Sequence, residues 1–394
     1  MEINMPEGAQ KIIAVLENNG YRADIVGGCV RDSILGRNPG DYDITTDALP
    51  EKVRALFSKT VDTGIKHGTV TVIEDGQSYE VTTYRIDGEY RDNRHPVSVS
   101  FTENLKEDLA RRDFTVNAMA YSSRRGLYDP YHGLTDLYAG VIRAVGDAQK
   151  RFDEDALRIL RAIRFSSVLD FDIEEKTSAA LRRSAIRLRD VSRERIFVEW
   201  KKLLGGVRAY DVISEYLSVI CVFLPALENL KMPKKSDFDS LCAQERQLLL
   251  FALSSGRDGF LSSAQELKMD NKMKKTGAAV LESLTLRRRP SESELRLFLV
   301  GKDDNVSLMA SKLCCRLGLC EEDTYERVVK LIETDSVRRL NQLNVGGNEI
   351  SAIGLSGEKI AKMLQMLLGA AAKGEIKNTK EELLKFAQKN AFNI

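Results

Sequence analysis

Two carboxylates one residue apart follow a glycine-rich turn near the start of the chain. Asp41 and Asp43 belong to the segment DYDI, shortly after the segment GGCVRD at 27–32. On an extended strand, residues two apart project from the same face, so both carboxylates can bind the same divalent metal ions. The glycines let backbone N–H groups approach a triphosphate closely, and the carboxylates hold magnesium between that triphosphate and an attacking hydroxyl. The pattern therefore predicts a nucleotidyl-transfer site.

Adjacent arginines form a second candidate cluster, in the segment RRDFTVNA at 111–118. Arginine presents a planar fork of donors wherever phosphate or ribose oxygens need bidentate contacts. We therefore expect Arg112 to contact the triphosphate. Taken alone, the segment favours a plainer explanation, in which both arginines pair with Asp108 and Asp113 at the surface.

Asp155 and Arg158 form a third candidate pair, three residues apart in a run with helical spacing. On one helix they would be neighbours, so a carboxylate acceptor would stand beside a guanidinium donor. Cytosine and adenine each present an amino group next to a ring nitrogen acceptor, whereas uracil and guanine present a carbonyl and an N–H. The pair therefore predicts selection of CTP and ATP without a template. An ordinary helix salt bridge between the two side chains is the alternative.

The predicted secondary structure around these clusters changes near residue 150, from mixed strands and helices to helices alone. Before it, β-rich segments and helices alternate with glycine turns, and we predict strands at 67–72 and 79–83 and helices near 6–19 and 29–35. After it, apolar residues recur every three or four positions, as in 155–165. The sequence therefore predicts a mixed head followed by a long helical body.

The composition is that of a globular protein, with 43% apolar and 30% charged residues among 394. Lys and Arg number 59 against 58 Asp and Glu, so local basic patches rather than net charge would bind a nucleic acid. The six cysteines lack C-x-x-C spacing and neighbouring histidines, which predicts reduced cysteines and no zinc site. The N-terminal segment does not resemble an export signal, and no apolar run reaches about 18 residues, so we expect a cytoplasmic protein without membrane association.

Together the clusters resemble, in order and spacing, the class II tRNA nucleotidyltransferases, or CCA-adding enzymes, with their bacterial poly(A) polymerase relatives. The segment 192–206 resembles the helix-supporting motif of that family and 343–383 is similar to its C-terminal domain, whereas about 210–340 matches only as generic helix. The closely matching segments are GGCVRDSILGRNPGDYDITTDALP at 27–50, RRDFTVNAMAY at 111–121, DPYHGLTDLYAGVIRAVG at 129–146 and EDALRILRAIRF at 154–165.

The resemblance implies an α+β fold. A small mixed α/β nucleotidyltransferase head with a polymerase-β-like sheet would be followed by an elongated, all-helical neck, body and tail. The implied domains are the catalytic head at 1–146, a neck with the base-reading helix at 147–207, a helical body at 208–335 and a tRNA-binding helical tail at 336–394.

The resemblance also implies a role for each candidate residue. Asp41 and Asp43 would be the catalytic magnesium ligands, and Asp155 and Arg158 would read the base. The implied nucleotide-binding residues are Gly28, Arg31, Arg112, Asp155, Arg158, Arg161 and Arg164. Glu80 could add a third carboxylate to the metal site, although a solvent-facing strand residue is the simpler interpretation.

The implied activity is template-independent addition of C, C and A to the 3′ end of tRNA from CTP and ATP, with Mg²⁺ as cofactor and pyrophosphate as product, in tRNA maturation and repair. The segment EYRDNRHPV at 89–97 resembles a flexible loop that CC-adding members lack, so CC-only addition is disfavoured. The alternatives are an A-adding enzyme, a poly(A) polymerase, an antibiotic-modifying nucleotidyltransferase and an RNA-binding module that has lost its chemistry. Expected partners are tRNA, CTP and ATP, and the resemblance allows a homodimer.

Overall fold

The computed structural model describes residues 2–88, 98–334 and 337–393 of the chain. The chain divides into two compact units, Met1–Pro225 and Ala226–Ile394. The finer four-part division stays a prediction, and the loop expected at 89–97 lies outside the described residues. In the described part, no helix has the length and apolar character needed to cross a membrane.

A seven-stranded sheet forms the front of the first unit. The strands of this unit are β1 (Ala23–Val26), β2 (Ile44–Thr46), β3 (Thr60–Gly64), β4 (Thr69–Glu74), β5 (Gln77–Thr83), β6 (Arg85–Asp87), β7 (Val99–Phe101), β8 (Ala120–Ser122), β9 (Gly126–Tyr128), β10 (Val141–Ile142) and β11 (Asp172–Ile173). The order across the sheet is β3-β4-β5-β2-β1-β8-β9, while β6 with β7 and β10 with β11 form two small separate sheets. Within the large sheet, β2 and β5 are parallel and the other neighbours are antiparallel. The fully buried strands β1 and β2 therefore lie in its interior.

Burial alternates along β5, which lies between β4 and β2 in the sheet. In β5, Tyr79, Val81 and Thr83 are buried whereas Glu80 between them is exposed, the two-residue period of a strand with one covered face. The strand predicted at 79–83 is thus confirmed as part of β5. The strand predicted at 67–72 is confirmed as β4 but begins at Thr69, because a short 3-10 turn ends at His67 and Gly68 takes a left-handed conformation.

The described part of the first unit also contains eleven helices, some of which pack on the sheet. They are α1 (Glu7–Asn18), α2 (Gly28–Ile34), α3 (Pro50–Leu56), α4 (Leu105–Ala110), α5 (Gly133–Ala139), α6 (Ala148–Glu154), α7 (Leu157–Leu169), α8 (Glu175–Ser184), α9 (Arg193–Leu204), α10 (Ala209–Glu215) and α11 (Leu217–Ile220). The two helices predicted from sequence are confirmed as α1 and α2. Helix α1 buries Ile12, Ile13 and Leu16 at helical spacing and packs on the sheet. Leu109 of α4 packs with Val26 of β1 in a separate apolar cluster.

Helices α7 and α9 pack closely where the chain turns after α9. The Ser167 hydroxyl of α7 donates a hydrogen bond to the Leu203 carbonyl at 2.7 Å, and the Arg208 amide donates to the Ser167 carbonyl at 3.1 Å. Gly206 lies directly against Ser167. This contact sets the spacing between two helices that both contribute charged side chains to the candidate site described below.

The second unit contains helices and no assigned strand within residues 226–334 and 337–393. Its helices are α12 (Lys235–Asp239), α13 (Ala243–Ala252), α14 (Gly256–Glu266), α15 (Asn271–Glu282), α16 (Glu292–Leu299), α17 (Asp304–Arg316), α18 (Thr324–Glu333), α19 (Gly347–Ala352), α20 (Glu358–Lys373) and α21 (Lys380–Asn390). Met363 and Leu367 of α20 pack with Leu383 and Ala387 of α21 in one apolar cluster. All six cysteines are free, as expected from their spacing. The unit is thus helical, as the apolar periodicity predicts.

We expect Gly206→Ala to destabilise the first unit by about 1–3 kcal/mol, because the added methyl group would overlap the Ser167 hydroxyl and lie 2.5 Å from its carbonyl oxygen. Gly205→Ala is the matched control, since its methyl group would meet nothing closer than the Lys202 carbonyl oxygen at 3.5 Å. Urea unfolding of both variants measures the difference. Equal stability of the two variants would contradict the close α7–α9 approach.

Candidate nucleotidyl-transfer site

The glycine-rich turn joins β1 to α2 and brings Arg112 close to the backbone. Gly27 has φ = +83°, a conformation that residues with a Cβ rarely adopt. A Cβ on Gly27 would also lie 2.7 Å from Nη1 of Arg112. Gly28 then begins α2, where the first backbone N–H groups of a helix lack intrahelical acceptors and suit an anion. Glycine at position 27 is therefore required both for the turn and for the approach of the guanidinium.

Arg31 projects from α2 and is held on several sides. Its Nε and Nη2 donate to the two carboxylate oxygens of Asp32 at 2.9 and 2.8 Å, and its Nη1 donates to Oδ1 of Asn117. The residue is 7% exposed. A guanidinium held this way is oriented before any ligand arrives, which lowers the entropy cost of binding.

Asp41 and Asp43 precede β2, so the prediction that both lie on a strand is wrong. The Asp43 carbonyl accepts a hydrogen bond from the Val26 amide at 3.0 Å, which continues the β1–β2 ladder by one step. The ladder stops there because Gly27 turns the chain into α2. Asp41 consequently lies beyond the end of the ladder, and the side-chain alternation of a strand does not determine its direction.

The Asp43 carboxylate lies among other charges. Its side chain remains accessible, yet partial burial raises the pKa of its carboxyl to about 6, with Arg112 opposing the shift and Asp41 and Glu80 adding to it. Glu80 is exposed on β5, as the simpler interpretation has it, but its charge still acts on Asp43. Among the described residues, no group of three or more His, Cys, Asp or Glu side chains is gathered as a metal site. The described residues thus offer carboxylates for a metal ion without a cluster of three such side chains.

Asp108 pairs more closely with Arg111 than with Arg112. Fully buried in the last turn of α4, it accepts from Nε of Arg111 at 3.0 Å and from the Thr45 hydroxyl at 3.3 Å, and Nη2 of Arg111 is 2.9 Å away. Nη2 of Arg112 forms a longer ion pair with Asp108, at 3.9 Å, while its Nη1 approaches Gly27. Burial lowers the pKa of Arg112, while Asp108 opposes that shift. Pairing with Asp108, the plainer explanation, therefore holds for both arginines, although Asp108 is buried and not at the surface, and Arg112 also lies at the turn.

Arg161 and Arg164 extend from α7 toward buried carboxylates. Arg161 donates to Asp113 at 2.8 Å from Nε, with Nη2 2.7 Å away from the same oxygen, and Nε of Arg164 is 2.7 Å from Glu199 of α9. Burial lowers the pKa of Arg164 to about 10, and Glu199 opposes this shift. Burial disfavours ionisation of Asp113, yet Arg161 and hydrogen bonds hold the pKa of that carboxyl well below its usual range. Both carboxylates are therefore counter-charges that stabilise the arginines.

Asp155 and Arg158 are not paired side by side on one helix, so that prediction is wrong. Asp155 lies between α6 and α7, and its Oδ1 accepts from the Leu157 amide at 3.0 Å because the first turn of α7 needs an acceptor. Its Oδ2 accepts from Arg195 at 2.7 Å. Arg158 pairs with Glu154 at 2.6 Å. The alternative of a mutual Asp155–Arg158 salt bridge is wrong as well.

The counter-charges are the site residues that the sequence did not reveal. Asp113 was interpreted only as a surface partner of the adjacent arginines, and Glu199 lies some 35 positions away from its partner Arg164 in the chain. The segment that contains Glu199 was recognised as helix-supporting, which is the one signal that could have led to it. Arg195, the partner of Asp155, belongs to the same segment.

Three family models match the chain. The Poly A polymerase head domain matches residues 23–143, a probable RNA and SrmB-binding site of polymerase A matches 170–215, and a putative tRNA nucleotidyltransferase domain 2 matches 244–387. The fold and the site thus define a nucleotidyltransferase with a head of the poly(A) polymerase type.

Relatives that match along the whole chain narrow this class. The chain is 36% identical over 382 residues to the CCA-adding enzyme of Geobacillus stearothermophilus, covering 94% of both proteins. It is 35% identical over 392 residues to that of Leuconostoc mesenteroides, covering 96% of this chain and 95% of the relative. The crystal structure of the Bacillus stearothermophilus CCA-adding enzyme in complex with CTP matches with a TM-score of 0.79 at 30% identity and 99% coverage of both chains. The chain belongs to the CCA-adding enzymes, which confirms the family resemblance and the α+β fold class.

We expect Gly27→Ala to weaken CTP binding by about tenfold, because the methyl group displaces the Arg112 guanidinium from the turn. Gly20→Ala is the control: Gly20 also has positive φ, at +87°, but its methyl group would meet nothing within 4 Å. Equilibrium binding of CTP, with thermal unfolding in parallel, separates backbone strain from displacement of Arg112. Equal CTP affinity in the two variants would refute the assignment of Arg112 to the nucleotide site.

Proposed function

We propose that this chain adds C, C and A, without a template, to the 3′ end of tRNA from CTP and ATP and releases pyrophosphate. The observation that carries the proposal is the approach of Arg112 to Gly27 beside Asp43, because a guanidinium suited to a triphosphate then lies near a carboxylate suited to a metal ion. The similarity to CCA-adding enzymes along nearly the whole chain supports the same reaction. In this proposal the reaction serves tRNA maturation and repair and takes place in the cytoplasm.

The cofactor in this proposal is Mg²⁺, since nucleotidyltransferases of this family generally use a divalent metal. Asp41 and Asp43 fit such an ion, because carboxylate oxygens are the ligands that hard cations prefer. Burial and the neighbouring carboxylates raise the pKa of Asp43, so its ionised form is disfavoured. A divalent cation bound beside Asp43 would favour that ionised form. When bound, Mg²⁺ supplies Lewis-acid activation of the RNA 3′-hydroxyl and neutralises charge on the triphosphate.

The arginines and the glycine turn hold the nucleotide in this proposal. The residues assigned to this role are Gly28, Arg31, Arg112, Arg161 and Arg164. Their donors orient the α-phosphorus for in-line attack by the 3′-hydroxyl and stabilise the charge that collects on the departing pyrophosphate. Positioning and electrostatic stabilisation then supply most of the catalysis, as expected for phosphoryl transfer.

Asp155 and Arg158 read the base in this proposal while keeping their present partners. Each oxygen of Asp155 accepts one hydrogen bond, and a carboxylate oxygen has room for another. Arg158 uses Nη1 and Nη2 for Glu154 and two carbonyls, and Nε–H has no hydrogen-bond partner among the described residues. An amino group and a ring nitrogen of cytosine or adenine complement that acceptor and that donor.

The domain roles follow from the same proposal. The catalytic head spans 1–146 and the base-reading neck 147–207, followed by a helical body at 208–335 and a tail at 336–394 that contacts the tRNA. Support comes from the matches of the head domain model at 23–143 and of the tRNA nucleotidyltransferase domain at 244–387.

The reaction is tested with a tRNA transcript that ends at the discriminator base. The purified protein is incubated with Mg²⁺ and CTP, ATP or both, and the product ends are sequenced. We expect two C residues with CTP alone, ordered growth to CCA with both nucleotides, and then arrest. Chelation of the metal should abolish extension, and added Mg²⁺ should restore it. Extension only of transcripts that already end in CC would establish an A-adding enzyme, and long adenylate tails a poly(A) polymerase.

Asp43→Asn should reduce incorporation of both nucleotides by about 10³-fold or more, since a charged metal ligand is lost from an accessible position. Its circular dichroism should match that of the wild type, and its melting temperature at neutral pH should be no lower, because the raised pKa of the Asp43 carboxyl means that the ionised form costs stability. Asp75→Asn is the control, because Asp75 is an exposed head residue that pairs with exposed Lys11. Undiminished incorporation by Asp43→Asn would exclude the proposed metal site.

A further inference from the structure

The ring of Phe165 is surrounded by three guanidinium groups. The Cζ atom of Arg164 lies 3.7 Å from the ring centroid, and those of Arg31 and Arg161 lie at 5.0 and 5.2 Å. All three distances are within the range in which a cation is attracted to the face of an aromatic ring. Arg31 comes from α2 and the other two from α7, so one ring contacts cations from two separate elements.

Packing fixes the position of this ring. Phe165 lies in the last turns of α7 and is 5% exposed. Phe114, itself fully buried, meets it edge-on with ring centroids 5.8 Å apart and an interplanar angle of 81°. Since neither ring has room to turn away, Phe165 is a rigid surface for the arginines.

The ring attracts the three guanidinium groups without occupying their N–H donors, unlike a carboxylate that accepts hydrogen bonds. Asp32 and Asp113 occupy N–H donors of Arg31 and Arg161 that a nucleotide needs, and Glu199 compensates the charge of Arg164 at 2.7 Å. An aromatic face attracts a cation through its quadrupole and leaves the in-plane N–H donors free. It also offsets part of the repulsion among three like charges gathered at one place.

We infer that Phe165 is a positioning residue, which holds Arg31, Arg161 and Arg164 in the arrangement that binds the nucleotide. This inference rests on the proposed function in one respect, because it takes those three arginines as nucleotide ligands. The ring itself touches the arginines and acts through them. Its removal therefore weakens nucleotide binding more than it slows the chemical step.

The test is equilibrium binding of CTP to the full-length protein with phenylalanine at 165 replaced by its mono-, di- and trifluorinated forms. Fluorine withdraws charge from the ring face and barely changes its shape, so cation attraction weakens while packing is kept. We expect the Kd for CTP to rise stepwise with fluorine number and by about tenfold in Phe165→Leu. A Kd that is flat across the fluorinated series would overturn the inference, whatever Phe165→Leu does to stability.

Phe223→Leu is the matched control for loss of a buried ring. Phe223 is fully buried in the same unit and packs edge-on against Trp200 at a centroid distance of 6.1 Å. It should lose stability comparable to Phe165→Leu and keep the wild-type Kd. An equal rise of Kd in both leucine variants would show that general loosening, and not the arginine contacts, weakens binding.

Extension of tRNA by the wild-type protein is measured separately, so the two proposals fail independently. If the wild type extends tRNA and the fluorinated series is flat, only the role of Phe165 is refuted. If the wild type binds CTP with a stepwise fluorine effect but does not extend tRNA, only the proposed function fails. Absence of any CTP binding by the wild type would refute both.

Discussion

Compensation of clustered positive charge is the constraint on which this site depends. Guanidinium groups that leave water carry a large desolvation cost unless opposite charge and hydrogen bonds replace the lost solvent. Here the buried carboxylates of Asp113 and Glu199 supply that replacement for the arginines of α7, and Asp32 does so for Arg31. The arginines stay charged and oriented, and a triphosphate can then add further compensation.

The same ion pairs hold together elements that are far apart in the chain. Asp113 follows α4, its partner Arg161 belongs to α7, and Glu199 of α9 reaches Arg164. The α7–α9 contact at Gly206 sets the spacing that this last pair needs. The packing of α7 against α9 and the ion pairs of the candidate site therefore depend on each other, since a shift of either helix would separate a buried charge from its partner.

Local sequence patterns predicted the strands and helices well. The partners of the site residues were harder to predict, because they lie in other elements of the chain. Alternation identified β5, and apolar spacing identified α1, because both depend on neighbours in sequence. The two-residue spacing of Asp41 and Asp43 suggested a strand. That spacing does not show where the partner strand β1 ends, so it could not reveal that Asp41 lies beyond the ladder. Asp155 and Arg158 were predicted to stand side by side on one helix, but the need for an acceptor at the start of α7 and the presence of Arg195 and Glu154 decide their partners.

The central claim is that the arginines proposed to bind the nucleotide are oriented by their carboxylate partners before the nucleotide binds. Crystal structures of the free protein and of its complex with CTP test it most directly. We expect the Arg31–Asp32, Arg161–Asp113 and Arg164–Glu199 pairs to be closed in both crystals, with CTP contacting the remaining donors. Pairs that are open in the free protein, or that break when CTP binds, would contradict the claim.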